Sequence, residues 1–480
     1  MAVKSLGAYQ TKLYQLTFGL ILVFAGVFAV RKSMLGSNTP ILNAVGVISV
    51  LAMVFLLDKR YWLFFWISAF LPNIPSLPFN GQELGIIFVS AVHLVRSALH
   101  LEPFAVWSKY FTFHAIVFVW IMMVFAINPA GFFILGSAAM GGRFYFAVIL
   151  GFMALLTFSA IDFTETDAKW LLRSIVATSI WSVLKSVYGG SVSELQTGSD
   201  FFGSGGLGSR YYLIKAMSLY MILFACYPLR SILKSPRLFV LVFGLGIATI
   251  LSGKRRAAGS LVLIPIFRSL LTDRDKGLTV ICGFVAALGL AFTVAGDGAF
   301  YELPKSATRA LSVVVPKYLT NRQVGLLNDY FRQQMRERAR SVIVKSPWLG
   351  RKGFAMDTEA AVWSHSETVF SGQFQGHVDA GAWHSAWYAY AADFGVPCLL
   401  LFVALVVCEV RYSWRAVHTV VRGHYFPICI VYFTILLFLE IFFAYTTGHS
   451  AFTYREHCIW FGIIVALARG YKKSYGGHST

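Results

Sequence analysis

Charge is what this sequence has least of: Asp, Glu, Lys and Arg make up 13% of 480 residues, against 57% hydrophobic and 16% aromatic. With a mean hydropathy of +0.66, that scarcity excludes an ordinary soluble globule. Acidic residues are the rarer sign, 22 Asp plus Glu against 41 Lys plus Arg, for a net charge of +19. A basic surplus also suits nucleic acid, but hydropathy favours a membrane protein, whose cytoplasmic loops and polyanionic lipid ligands call for the same cations. Cysteine is sparse. Cys226, Cys282, Cys398, Cys408, Cys429 and Cys458 fall in or beside apolar runs with no CxxC or His/Cys spacing, which argues against both a disulfide framework and structural zinc. No small-residue cleavage site follows the first apolar stretch, so that stretch reads as a retained helix. Internal repeats, low-complexity tracts and a soluble C-terminal domain are also missing.

What the chain has is apolar runs. A crossing needs about 20 mostly apolar residues, and candidates follow at Leu13–Val30, Pro40–Leu57, Tyr61–Phe79, Leu84–Leu101, Phe111–Ile127, Phe144–Ile161, Trp170–Tyr188, Tyr211–Leu229, Leu238–Leu251, Ala257–Leu271 and Leu278–Ala295. Pro72, Pro75 and Pro78 break up the third, which reads as a broken or re-entrant piece. Roughly 88 residues, Gly296 to Trp383, then contain no membrane-length run. Ser385–Val410, Phe426–Tyr445 and Cys458–Ala468 close the series. The expected fold is an all-α polytopic membrane protein with about 12–14 transmembrane helices. Its three regions are 1–295 with about eleven spans, a large, partly helical periplasmic loop over 296–383 before the last three spans, and 384–480 with those spans and a short cytoplasmic tail. Lys59, Arg60, Lys169, Arg173, Arg237, Arg411, Arg415, Lys472 and Lys473 fall on one side of this arrangement, which sets both termini inside by the positive-inside rule. The long loop, His384, His449 and Arg455 then lie outside.

Chemistry-bearing residues gather on that outer side. His384 opens the first apolar helix after the loop, near the positive end of the helix dipole, where a neutral, proton-accepting imidazole and a neighbouring anion are both favoured. Gly395 is eleven positions on and about 20° round, so an unbroken helix puts both on one face, with Tyr388 close to it. The plainer reading is an interfacial histidine that caps the helix. Val324–Ser346 reads as a loop helix stopped by Pro347, and Arg332, Arg336 and Arg340 form one cationic stripe along it. That stripe suits either a headgroup-facing surface or a diphosphate grip. Arginine offers a planar fork of donors that stays charged, and it recurs at Leu251-Ser252-Gly253-Lys254-Arg255-Arg256-Ala257 and after the glycine run ending in Arg210. Interfacial anchoring and a plain connector are the bland accounts of those two sites. Glu440, near the outer end of its span, needs a partner and reads as either an ion pair or a second base. Asp393 reads as packing against another span. His449, Arg455, Glu456 and His457 form the last outer turn. His365, His377, Asp379 and His384 lack regular ligand spacing, so no metal is expected.

In order and sidedness these features resemble the O-antigen ligase and O-antigen polymerase family of bacterial envelope glycosyltransferases. The residues that carry the resemblance are His384-Ser385, nine residues, then Gly395; the Leu251 to Ala257 turn; and Arg332, Arg336 and Pro347-Trp348-Leu349-Gly350 on the loop helix. Lys254, the additional Arg256, Arg336 and the Val396-Pro397-Cys398 sequence after Gly395 depart from the family pattern. The resemblance implies a bacterial inner-membrane enzyme without a cofactor. It moves a glycan from undecaprenyl diphosphate to a sugar hydroxyl on lipid A core or on another lipid-linked chain, at the periplasmic face. His384 would be the base, and Arg255 or Arg256, Arg332, Arg210 and Arg336 would bind the diphosphate. Tyr388, Gly395, Glu440 and His449 would be accessory. The implied partners are the lipid-linked donor and acceptor, the bilayer and a chain-length regulator, with no nucleic acid. Ligase and polymerase are not separable on these residues. The rival class is a transporter or flippase of lipid-linked or anionic glycans, which would carry charge near the bilayer midplane.

Overall fold

The computed structural model describes residues 59–68, 81–127, 142–189, 215–251, 255–272, 322–351, 353, 383, 385–420, 423–444 and 450–475. The expected spans Leu13–Val30, Pro40–Leu57 and Leu278–Ala295, along with most of the long loop, lie outside them. The described residues are helical, with no strand among them. They fall into two compact units, one within 1–107 plus 156–161 and the other within 108–155 plus 162–480.

The first unit holds α1 (Leu63–Ile67), α2 (Gly81–Ala98) and the last turn of α4 (Gly142–Ala160). Of the expected Tyr61–Phe79 span, only α1 and its flanks are described. Phe65 meets Phe158 edge to face at 5.2 Å, and Thr157 donates to the Ser90 hydroxyl at 3.2 Å. Beyond α2 the chain turns back through His100, at φ 57°, and ties down Glu102. Tyr61 donates to Glu102 Oε2 at 2.7 Å, and Arg96 Nε donates to Oε1 at 2.9 Å. Burial pushes the Glu102 carboxyl up, but the His93 hydrogen bond and the Arg96 charge outweigh it, so the group ends below its ordinary value.

The second unit contains α3 (Thr112–Ile127), the rest of α4, α5 (Glu165–Gly189), α6 (Lys215–Cys226), α7 (Leu229–Lys234), α8 (Pro236–Leu251), α9 (Arg255–Thr272), α10 (Arg322–Lys345), α11 (Ala386–Phe394), α12 (Val396–Thr419), α13 (Tyr425–Phe443) and α14 (Ser450–Tyr475). Among the described residues, three helical stretches are long and apolar enough to cross a membrane, Lys109–Ile127, Val396–Thr419 and Tyr425–Phe443. Shorter apolar helices accompany them at Phe144–Ala160, Lys215–Cys226, Pro236–Ile250 and Gly259–Thr272.

The centre is α13, which is apolar nearly all round apart from Glu440 near its end and is therefore surrounded. It packs against α5, α6, α9, α12 and α14. Its nineteen residues rise about 28 Å, close to the roughly 30 Å of a hydrocarbon core. Its two ends lie in different chemistry. At the start, Glu165 Oε1 accepts the His424 and Tyr425 amides at 2.8 and 2.6 Å, a carboxylate cap supplied by another helix to a positive helix end. Close in sequence, Asp162 pairs with Arg469 at 3.0 Å and Lys473 at 2.8 Å. At the far end are Glu440, Ala444 and the first turn of α14. That helix starts well before the expected Cys458, because Tyr454, Arg455 and His457 are buried despite their polarity.

The expected Ser385–Val410 span is two helices. Residue 395 ends α11 and precedes α12 with φ 89° and ψ 165°, a conformation open essentially to glycine alone. A Cβ there would stand 2.0 Å from the Trp348 carbonyl oxygen. The crossing stretch is thus Val396–Thr419, and α11 is a short helix ahead of it. This corrects the expectation of one continuous helix over Ser385–Val410; the expected shared face of residues 384 and 395 lies outside the described residues, because 384 does.

Candidate functional site

The loop helix α10 extends over Arg322–Lys345, close to its expected limits. Met335, Ala339, Val342 and Ile343 recur at i, i+4, i+7 and i+8 and form its inner seam, packing on Trp383, Ala389, Ala392 and Tyr388. Arg336 and Arg340 each follow a seam residue, so the cationic stripe runs about 100° round from the contact. Arg336 is half-buried and Arg340 exposed. The Arg340 guanidinium donates to the Tyr388 hydroxyl at 3.2 Å and lies 5.9 Å from its ring centre. The backbone of Arg332 is in α10, while its side chain is outside the described residues.

Small residues let α11 sit deep. Ala386, Ala389, Ala391 and Ala392 are buried, and the Ala386 amide donates to the Ala444 carbonyl at 2.7 Å. The Ala444 amide in turn donates to the Glu440 carbonyl at 2.9 Å, so the first turn of α11 stands one helical turn from Glu440. Tyr390 adds a bond to the Ser450 carbonyl at 2.9 Å. Glu440 makes a hydrogen-bonded ion pair with Arg256 at the start of α9, and the same guanidinium lies 5.3 Å from the centre of the Phe443 ring. Of the two readings of Glu440, the ion pair is the one observed. Arg255 opens α9 with its side chain outside the described residues.

Arg256, Glu440 and the start of α11 therefore meet at one end of the second unit, with Tyr388, Arg336 and Arg340 on the helix pair α10 and α11 beside them. His384, Arg210 and His449 lie outside the described residues. Trp383 and Ser385, the chain neighbours of His384, are both fully buried. A shallow groove along α12, lined by Val406, Val410, Arg411 and Trp414, begins eleven residues beyond Gly395 and holds none of these groups.

Asp393, expected to pack against another span, is fully buried and has polar partners of its own. Its Oδ1 accepts from Arg351 Nε at 2.7 Å and from Trp383 Nε1 at 2.9 Å, while Oδ2, also buried, has no partner among the described residues. Burial raises the carboxyl to about 6, against the lowering influence of Arg351 and Trp383. Around it, the Arg351 and Gly353 amides donate to the Ala392 and Asp393 carbonyls at 2.8 and 2.7 Å, and the Val396 amide donates to the Pro347 carbonyl at 2.7 Å. The Pro347–Gly353 segment is thereby laced to the end of α11.

Sequence reasoning missed a second polar cluster. Glu409 on α12 lies between His114 on α3 and His457 on α14, with Nε2 of His114 at 3.0 Å from Oε1 and Nδ1 of His457 at 2.6 Å from Oε2. His457, expected on an outer rim, is in the core instead. The available signal was an ionisable residue isolated in each of two apolar runs, Phe113-His114-Ala115 and Cys408-Glu409-Val410. Among the described residues no group of three His, Cys, Asp or Glu side chains could hold a metal ion.

No known protein family matches this sequence, and no characterised protein matches it either.

Proposed function

We propose that this chain is a polytopic inner-membrane glycosyltransferase of the O-antigen ligase or polymerase type, with about 12–14 crossings, both termini inside and the 296–383 loop outside. The observation that carries the reading is the Arg256–Glu440 pair one helical turn from the first turn of α11, the helix that His384 precedes. His384 takes the proton of a sugar hydroxyl, whose oxygen attacks the anomeric carbon of the donor. The carbon–oxygen bond to phosphate breaks, and undecaprenyl diphosphate leaves with the electron pair. Arg256 or Arg255, with Arg332, Arg336 and Arg210, neutralises the leaving diphosphate without a metal. An arginine that already holds a carboxylate is set to exchange it for phosphate oxygens.

His384→Ala tests this in cells. Loss of a positioned base costs about 10²–10⁴-fold in rate, so transfer is expected to stop while donor accumulates on the outer face. Undiminished transfer would refute the assignment. A transporter is the second reading, favoured by the ionisable cluster His114–Glu409–His457 inside apolar helices. Donor trapped on the inner face in a deletion strain would support it.

A further inference from the structure

The His114–Glu409–His457 cluster has no part in the transfer proposed above. All three side chains are fully buried, and they join α3, α12 and α14. His114 stacks on Phe461, with ring centres 5.1 Å apart and planes 6° apart, and Phe402 meets the His457 ring at 5.4 Å. The Tyr454 hydroxyl donates to the His114 carbonyl at 2.8 Å. The outward nitrogens, Nδ1 of His114 and Nε2 of His457, are buried without a partner among the described residues.

Counting charge fixes what this arrangement must contain. A lone carboxylate in such a core is strongly unfavourable unless a cation compensates it. Among the described residues, the other titratable groups around Glu409 are Cys408 on its own helix, Tyr390 on α11, and Tyr454 and Cys458 on α14. Those phenols and thiols are neutral and bring no positive charge. Glu440 and Glu456, which act on His457 from α13 and α14, are paired with Arg256 and Arg455. Among the described residues, the charge that compensates Glu409 is therefore a proton held within the cluster. The shorter contact locates it, because charge-assisted hydrogen bonds are the short ones: 2.6 Å to His457 against 3.0 Å to His114.

We propose that His114, Glu409 and His457 form a buried site for a single exchangeable proton, whose uptake makes His457 an imidazolium that donates Nδ1–H to Glu409 Oε2 and carries the exchanging proton on Nε2. In the occupied, neutral state Glu409 is a carboxylate, His457 an imidazolium, and His114 a neutral ring donating Nε2–H to Oε1. Release of the Nε2 proton of His457 to water leaves that ring neutral, still donating Nδ1–H, and the cluster at one negative charge. Uptake reverses the step. A metal ion would need three donors converging on one point, whereas here the carboxylate fills the space between the two rings.

The test uses the full chain, labelled with ¹⁵N-histidine, in bilayers of phosphatidylethanolamine and phosphatidylglycerol. At about pH 8.5 exposed imidazoles, with ordinary values near 6.5, are about 99% neutral, and solid-state NMR should show one doubly protonated ring among the eleven histidines. That signal should disappear in His457→Gln and Glu409→Gln and persist in His114→Gln. It should also titrate as one proton at higher pH and exchange with deuterated buffer. Absence of the signal in the wild type, its survival in Glu409→Gln, or a signal that neither titrates nor exchanges would overturn the proposal. The wild-type spectrum decides this even where a variant does not fold, and no outcome depends on glycan transfer.

Discussion

Replacing Asp393 with Asn should flatten one limb of the pH dependence of stability. In the folded chain the Asp393 carboxyl rises from 3.8 to about 6, because the burial that strips its water outweighs Arg351 and Trp383. The difference corresponds to about 3 kcal/mol, at roughly 1.4 kcal/mol per pKa unit. The sign follows from proton counting. Between about pH 4 and pH 6 the folded state holds a proton that the unfolded state has released, so this group's contribution falls as pH rises through that window and is flat above it. Asn keeps an oxygen for Arg351 and Trp383 but does not titrate. The measurement is reversible denaturant unfolding in mixed micelles, followed by tryptophan fluorescence, at steps from pH 3.5 to pH 7.5. Wild type minus variant should fall by about 3 kcal/mol across the window, and taking the difference cancels groups of opposite sign such as Glu102. A flat difference, or a wild type that gains on the variant as pH rises, would refute the reasoning by showing that Arg351 governs the carboxyl rather than burial.

Two further substitutions probe the same end of the bundle. Gly395→Ala combines backbone strain of about 1–3 kcal/mol with a Cβ driven onto the Trp348 carbonyl, and should expose the Pro347–Gly353 segment to limited proteolysis; unchanged protection would show that the turn relaxes freely. Arg256→Gln should weaken binding of a lipid-linked diphosphate about tenfold or more, equivalent to about 1.4 kcal/mol, whereas Glu440→Gln, which frees the guanidinium, should not weaken it. Equal losses in a donor titration would mark the pair as purely structural.

Local pattern carried much of this architecture into the sequence. The extent of α10 and its end before Pro347 were legible because a proline is a local signal. So was α13, where no charged residue interrupts the run before Glu440. The start of α14 was not, since Arg455, Glu456 and His457 look like a solvated turn until their buried partners are known. Gly395 was visible as a residue, but its left-handed backbone was not, and an unbroken helix there was the natural extrapolation. The partners of Asp393 were not legible because they come from ten and 42 positions away, a pairing that no helical periodicity encodes. The Arg256–Glu440 pair, 184 positions apart, was legible only as a demand: a carboxylate in a span must find a cation.

The lacing between Pro347–Gly353 and α11 bears on the order of assembly. A helix normally finishes its last turn with groups close by in the sequence, but α11 borrows amides made some forty residues earlier. During synthesis the lending segment leaves the ribosome first and has nothing to bind until its borrower arrives. A pause or an insertion between the two prolongs the interval in which neither is complete, so the length of the intervening chain governs how reliably the site is built.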